Sequence, residues 1–406
     1  MTRMKIKKLT KDFALNLLAS FFVTGILQLF VYPLLAHIMS SERYGILLTM
    51  VGLANTFAAT IGSSLNNTRL LLNEEYDEKK YNGDFLPILA GSSAIGLVIL
   101  FFALKRYEDN SFTYILLLIY MVLNAVRTYG SVAYRIRMNY INNLICNVIV
   151  GMGYLVGTLF LFIWKELCFI WPVCFLNGEV AAIIYLLFSC NILKEKYNIT
   201  PLFKKTLKKD SVLMTTTLTA NLLIYLDRIL LLPILGGSAV TTYTVASIFG
   251  KSIGILMAPL AGVLLSYFAQ KDFEMDRKKF WMFNFINIGF TILFMLIGHL
   301  IGYWFTGIFY PTEIDSARAF LDVANSAAIV LTLGNMTQPT VLKYSPSYWL
   351  LIIQILYCIC YLVGGVLAVR SSGLMGFSYV ALFAACLKVI LQLIVGHKYV
   401  GIKRLY

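Results

Sequence analysis

Charge is what this sequence has least of. Only 13% of its 406 residues are Asp, Glu, Lys or Arg, where a soluble domain carries about 25%. With 59% of residues hydrophobic and a mean hydropathy of +0.77, a water-soluble fold is excluded and a polytopic membrane protein is expected. Histidine is scarcer still: His37, His299 and His397 are scattered, and no metal site can be argued from them. The seven cysteines, Cys146, Cys168, Cys174, Cys190, Cys358, Cys360 and Cys386, lie nearly all in apolar sequence and lack metal-site spacing with histidine. They read as packing residues. Acids are outnumbered, 20 against 34 Lys and Arg, for a net charge of +14. In a soluble protein that balance would point to nucleic acid. Here the basic residues cluster in short loops, so the positive-inside rule accounts for most of them and no nucleic-acid partner is expected.

What the chain has in abundance is long apolar runs. About 20 apolar residues cross a ~30 Å hydrocarbon core. Twelve segments qualify: 13–36, 45–70, 84–104, 112–134, 140–164, 167–190, 211–235, 240–268, 280–307, 317–342, 347–369 and 374–397. They leave no room for a soluble domain. The basic N-terminus, with Arg3, Lys5, Lys7, Lys8 and Lys11, resembles a signal peptide. The apolar run behind it is too long for one, and no convincing small-residue cleavage site follows. It reads as an uncleaved first helix.

Orientation follows from loop charge. With the N-terminus inside, the inner loops hold Lys79, Lys80, Arg135, Arg137, the lysines at 194, 196, 204, 205, 208 and 209, then Lys271, Arg277, Lys278 and Lys279. Lys343, Lys398, Lys403 and Arg404 complete the set, while the outer loops hold Arg43, Lys105, Arg106, Lys165 and Arg370. Both termini are therefore expected in the cytoplasm. The longest polar stretch, Asn191 to Asp210, separates six helices from six. The expected lobes are 1–200 and 201–406. At an offset of 196, Ile38-Met39-Ser40-Ser41 falls on Ile234-Leu235-Gly236-Gly237. An even number of helices per half predicts parallel repeats about the membrane normal.

Three stretches carry a family likeness: Tyr44-Gly45 after the first turn; Ser63-Ser64-Leu65-Asn66-Asn67-Thr68-Arg69 at the inner end of the second helix; and Tyr225-Leu226-Asp227-Arg228 with Gly236 and Tyr243. Together they resemble a Wzx-type flippase, a polysaccharide-biosynthesis branch of the MOP exporter superfamily that also holds MATE drug exporters and MurJ-like lipid II flippases. The resemblance implies an all-α membrane protein of two six-helix lobes around a central V-shaped cavity. It implies translocation of undecaprenyl-pyrophosphate-linked oligosaccharide to the outer leaflet of the bacterial cytoplasmic membrane, in O-antigen, capsule or exopolysaccharide assembly. The implied partners are lipid-linked oligosaccharide, membrane lipid, a coupling sodium ion or proton, and other polysaccharide-assembly membrane proteins. No cofactor is implied.

Such a cargo is an anion, and Arg and Lys suit phosphate oxygens, Arg with bidentate geometry. A charge at the centre of a membrane helix costs ~2.5–3.5 kcal/mol on insertion scales, so ionisable residues there mark interiors or wet cavities. Lys251 is the first candidate. It lies about eleven residues into the eighth segment, ~16 Å from its outer end at 1.5 Å per residue. MurJ-like members carry a basic residue in that helix, matched here by approximate position. The alternative is a buried ion pair with a neighbouring helix. Asp227 either balances Lys251 or binds a coupling cation. Arg228, adjacent to it, either faces a cavity or snorkels outward. Arg69, beside Asn66 and Asn67, receives the pyrophosphate on the Wzx resemblance, or serves as a positive-inside anchor. Arg127, one turn from Asn124, is a cavity candidate. Glu179 is protonated, paired with Arg127, or part of ion coupling; Lys388 has the same open reading. Asn16, Asn55, Asn147, Asn287, Asn325 and Gln354 read first as helix–helix bonding residues, although Asn55 falls on Lys251 at the 196 offset. Arg318 and Asp322, four apart, suggest a surface pair.

Two other classes compete. A MATE-type exporter of organic cations would want acids in its cavity, and the cationic inventory argues against it. A membrane-bound polysaccharide polymerase or glycosyltransferase would present a sizeable outer loop with acids and bases. The longest outer loop, 307–316, has Glu313 and Asp315 but no base, and no nucleophile–base constellation is present. The chain is therefore not expected to be an enzyme.

Overall fold

The computed structural model describes residues 14–15, 18–19, 21–108, 110–255, 257, 260 and 275–401. The basic residues from Arg3 to Lys11, Asn16, the far end of the eighth segment with Lys271, and Lys403 and Arg404 lie outside the described residues. Among the described residues the regular elements are all helical. Nine helices among the described residues are long and apolar enough to cross a membrane, ten when the bent pair Phe203–Ile224 and Leu226–Leu235 is taken as one span. The protein is an all-α polytopic membrane protein.

Helix ends differ from the hydropathy reading where polar residues carry a helix past its apolar run. The second helix runs Ser41–Glu78, two turns beyond the expected 70. Asn73 donates to Asp77 at 2.7 Å and Lys79 to Glu75 at 3.1 Å, both four residues apart, a spacing that supports an exposed helical turn. Ends are set by side-chain caps: Asn110 accepts from the Phe112 amide, Asn139 from that of Asn142, and Asp276 from that of Lys279. Each satisfies one of the amides a helix start leaves unbonded. The seventh segment is not straight. Its halves meet at Tyr225 with a 56° bend, and the Tyr225 carbonyl accepts from both the Arg228 and Ile229 amides. The last two segments run on as Tyr348–Tyr399, 52 residues, broken at Gly373 by φ 59°, ψ −145°. That left-handed backbone suits glycine. Near Asp322 the expected pair with Arg318 is replaced. Arg318–Phe320 is a 3-10 turn preceding the helix Leu321–Gly334, so α-helical i, i+4 geometry is absent. Asp322 meets His299 at 3.1 Å, and Arg318 lies over the Tyr303 ring.

The chain divides into two compact units, Met1–Ser40 with Ile46–Ile229, and Ser41–Gly45 with Leu230–Tyr406. In the first unit the helix Phe203–Ile224 is tied to the helix Ser41–Glu78. Thr68 donates to Asp210 at 3.1 Å, and Lys205 to Glu75 at 2.6 Å. The Tyr76 and Thr206 hydroxyls meet at 2.7 Å.

In the first unit Tyr140–Ile163 packs on Pro172–Ser189, which also takes Ser111–Gly130. Between lipid-soluble helices no hydrophobic force drives association, so close packing through small residues does the work. Gly153 and Gly157 present a G-x-x-x-G face: a Cβ at Gly153 would lie 2.5 Å from Gly178 Cα, and one at Gly157 2.5 Å from Cys174 Cα. In the second unit Leu321–Gly334 packs on Gly365–Tyr399 and Arg277–Phe309. Phe249, Ile253, Ile329 and Leu333 form one apolar cluster there. Asn287 donates to the Leu333 carbonyl and Asn325 accepts from the Gly250 amide, both at 2.9 Å. Those two are helix–helix bonds, while Asn147 bonds Asn143 of its own helix. The segment Ser41–Gly45 also docks in this unit. Glu42 takes the Gly237 and Ser238 amides at 2.7 and 2.8 Å, capping the helix Gly237–Ala246.

Candidate functional site

The centre of the first unit is polar. Glu179, on the helix Pro172–Ser189, is fully buried. It accepts from Arg127 Nε at 2.5 Å and from the Tyr154 hydroxyl. Arg127 Nη2 donates to Asn124 Oδ1 at 3.0 Å. Asn124 Nδ2 in turn donates to Asn55 Oδ1 at 3.1 Å, which also accepts from Tyr120 at 2.7 Å. Four helices therefore supply one connected network, and three of the expected site residues (Asn55, Arg127 and Glu179) meet in it. Of the three readings of Glu179, pairing with Arg127 is the geometry found. A buried pair of this kind holds only when the remaining polar atoms are also satisfied, which Asn124 and Tyr154 do.

Arg69 and Asn66 sit a turn apart but do different things. Asn66 Nδ2 donates to the Thr128 carbonyl at 2.8 Å and to Ser131 Oγ at 3.1 Å, and its Oδ1 accepts from Arg135 at 2.6 Å. It clamps the turn at Ser131 that separates Ser111–Gly130 from Val132–Ile136. Arg69 is 7% exposed, with its guanidinium 4.4 Å from the Phe85 ring centroid and 5.6 Å from that of Tyr76. Such cation–π contacts are worth ~0.5–2 kcal/mol. Arg69 Nη2 reaches Glu195 Oε1 at 2.9 Å. Its Nε and Nη1, and Glu195 Oε2, are buried without hydrogen-bond partners. Burial pushes the Glu195 carboxyl above its ordinary range while Arg69 pulls it down. The loop carrying Glu195 is anchored at Thr200, whose amide donates to Asp84 Oδ1 at 2.6 Å. Asp84 stands at φ 67°, a left-handed backbone that short polar side chains tolerate best after glycine. A cavity of about 340 Å³ opens beside the Arg69–Glu195 pair.

At the bend of the seventh segment, Asp227 and Arg228 are each 6% exposed. Asp227 Oδ1 accepts from the Arg228 amide at 2.8 Å, in the first turn of Leu226–Leu235, where the helix dipole favours an acid. Arg228 turns inward rather than snorkelling: Nη1 donates to the Leu48 carbonyl at 3.1 Å, and the guanidinium lies 5.6 Å from the Tyr225 ring centroid. Lys251 belongs to the second unit. The helix Gly237–Ala246 begins before the expected 240 and ends at a turn at Ser247, and Lys251 stands in the helical stretch beyond that turn. It is half-buried, with Nζ 5.6 Å from the Tyr243 ring centroid. Lys388, 8% exposed, donates to Asn335 Oδ1 at 3.0 Å and lies 5.3 Å from the Tyr357 ring centroid.

Sequence reading passed over Tyr154, Tyr120 and Glu195. The tyrosines are two of 25 and carry no local mark. Glu195 stands between Lys194 and Lys196, where a lone acid in a basic loop was the available signal. Nor is Glu179 alone as a buried acid of this unit, since Asp84 and Asp210 are 0% and 1% exposed.

No protein-family model matches the chain, and no curated protein does. Solved structures do. The lipid II flippase MurJ in an inward closed conformation aligns with a TM-score of 0.67 at 14% identity, over 97% of this chain and 87% of that one. An inward-facing multidrug-resistance MATE transporter of the MOP superfamily aligns at 0.64 and 11% identity, over 96% and 94%. The Vibrio cholerae MATE transporter VcmN in its bent form aligns at 0.59 and 13% identity, over 98% of each chain. The chain has the fold of these transporter and flippase structures.

Proposed function

We propose that this chain is a Wzx-type flippase. It carries undecaprenyl-pyrophosphate-linked oligosaccharide from the cytoplasmic to the outer leaflet by alternating access. The observation that carries the reading is the sign of the buried charge. Arg69, Arg228 and Lys388 are buried and Arg127 and Lys251 are half-buried, while the buried acids Asp84 and Asp210 stand toward helix starts, outside the apolar stretches. Within those stretches Arg127 is paired with Glu179, and Arg228, Lys251 and Lys388 then stand against Asp227, a cationic surplus that suits a pyrophosphate. An exporter of organic cations would need the opposite surplus.

Twelve helices in two lobes, 1–200 and 201–406, complete the proposal. The described residues hold ten spans when the bent pair is taken as one. Tyr348–Tyr399 is long enough for two, with its break at Gly373, and Gly237–Ala246 opens another that continues as helix to 255, where the unbroken described stretch ends. Both termini lie in the cytoplasm on the loop-charge argument. Lys251 carries the cargo's charge, with Arg69, Arg127, Arg228, Asn55 and Asn66 as further cargo-facing or supporting residues. Asp227 and Glu179 balance charge or bind the coupling sodium ion or proton.

The test is export in a bacterial strain lacking its own flippase, with membrane levels checked by blot. Lys251→Ala loses export and accumulates lipid-linked precursor on the inner leaflet, while Lys251→Arg keeps part of the activity. Asp227→Asn is milder if the acid only balances charge, and equally severe if it binds the coupling ion. Normal export by a well-expressed Lys251→Ala variant removes Lys251 from the mechanism.

A further inference from the structure

The Arg69–Glu195 pair is built unlike a permanent structural bridge. An Arg–carboxylate pair at its strongest is bidentate, two parallel N–H···O bonds. This one makes a single contact, Nη2 to Oε1 at 2.9 Å. Three further polar atoms, Arg69 Nε, Arg69 Nη1 and Glu195 Oε2, are buried and unpartnered among the described residues. Buried donors left unmade are costly. An arginine held rigidly over Phe85 and Tyr76, with two free donors, is prepared for a ligand that brings more oxygen atoms than one carboxylate does.

The surroundings point the same way. The adjoining cavity of about 340 Å³ is lined by Arg69, Arg137, Lys194, Asn191, Asp77 and Glu195 among others. With Glu195 and its segment withdrawn, Arg69 and Arg137 face Asp77. Glu195 is also held against its preference, because burial disfavours its charge more than Arg69 favours it. Its segment can leave without unravelling the chain beyond it, which is pinned independently. The Asp84 amide donates to the Asn198 carbonyl at 2.7 Å, and the Thr200 amide to Asp84 at 2.6 Å. The stretch that moves would be 191–195.

We propose that this cleft is a phosphoryl-binding site kept closed by Glu195, which occupies Arg69 in place of the ligand and is displaced when a phosphate or pyrophosphate group enters. The tetrahedral oxygens take Arg69 Nη2 together with the two unpartnered donors, and Arg137 adds charge from the rim. Loading thereby frees the 191–195 segment while 198–200 stays pinned to Asp84. The inference rests on the flippase reading for its choice of ligand alone.

The experiment uses the full chain in nanodiscs, open on both faces. Inorganic pyrophosphate and farnesyl pyrophosphate are titrated separately by calorimetry. Glu195→Gln, near-isosteric and neutral, removes the competitor and tightens binding roughly tenfold or more. Arg69→Gln abolishes binding, and Arg69→Lys keeps charge but weakens it, with monodispersity confirming that each variant folds. Equal tightening for both ligands assigns recognition to the phosphates alone; tightening for farnesyl pyrophosphate only assigns it to a lipid-linked group. A Glu195→Gln affinity that is unchanged or weaker, or no binding of either ligand to that variant, overturns the proposal. A chain that exports no glycan yet shows this pattern loses the flippase reading and keeps the Glu195 displacement.

Discussion

Replacing Glu179 by Ala should be among the most damaging single changes in the chain. Glu179 is fully buried and accepts from Arg127 Nε at 2.5 Å; the Tyr154 hydroxyl is its second donor. Alanine leaves the Arg127 guanidinium, whose side chain is 15% exposed, without its counter-charge. Asn124 Oδ1, at 3.0 Å, would be its remaining partner of those described. Breaking a buried pair from one side costs ~3–5 kcal/mol, and a stranded buried hydroxyl adds ~1–3 kcal/mol. The sum rivals the ~5–15 kcal/mol net stability of a typical folded domain. Glu179→Gln, which keeps shape and one acceptor, should cost ~1.5–3 kcal/mol. The control is the double variant Arg127→Met with Glu179→Leu. With no charge left to strand, it should be more stable than Glu179→Ala alone, a large favourable coupling. Folded yield by fluorescence-detected size exclusion, and the SDS midpoint of purified protein, read all four proteins. A Glu179→Ala variant as stable as the parent would refute the reasoning. So would a double variant no more stable than Glu179→Ala.

Two further outcomes rest on geometry and charge. Gly45→Ala would place a Cβ 1.9 Å from the Gly237 carbonyl oxygen, where no side chain can give way. It should sharply reduce folded protein in the membrane, while Gly91→Ala, with nothing within 4 Å, should leave the level unchanged on the same blot. A single cysteine at Lys205, in a background without other cysteines, should resist impermeant thiol reagent in intact cells, and labelling from outside would overturn the orientation.

What could be read from residues in line was the solvent each segment prefers. Hydropathy is a local property, summed over about 20 residues, so the all-helical membrane class was legible without coordinates. Hydropathy also located the break near 370 and the bend-bearing seventh segment. It failed where local polarity and tertiary contact disagree: the second helix outlasts its apolar run because Tyr76 and Glu75 find partners on Phe203–Ile224. The same pairing places Phe203–Ile224 in one compact unit with residues 46–78.

The partners of the buried charges were decided by the tertiary structure. Arg127 and Glu179 are 52 residues apart, Arg69 and Glu195 126, and Arg228 and Leu48 180. A charge in an apolar run announces that it must be compensated; the sequence determined that much about this protein. Which group compensates it, and whether every donor is satisfied as at Arg127 or two are left over as at Arg69, depends on distances of a few ångströms between helices remote in the chain. Electrostatic and hydrogen-bond energies fall away over those distances, so the packed helices alone could separate a settled ion pair from a site with room for a ligand.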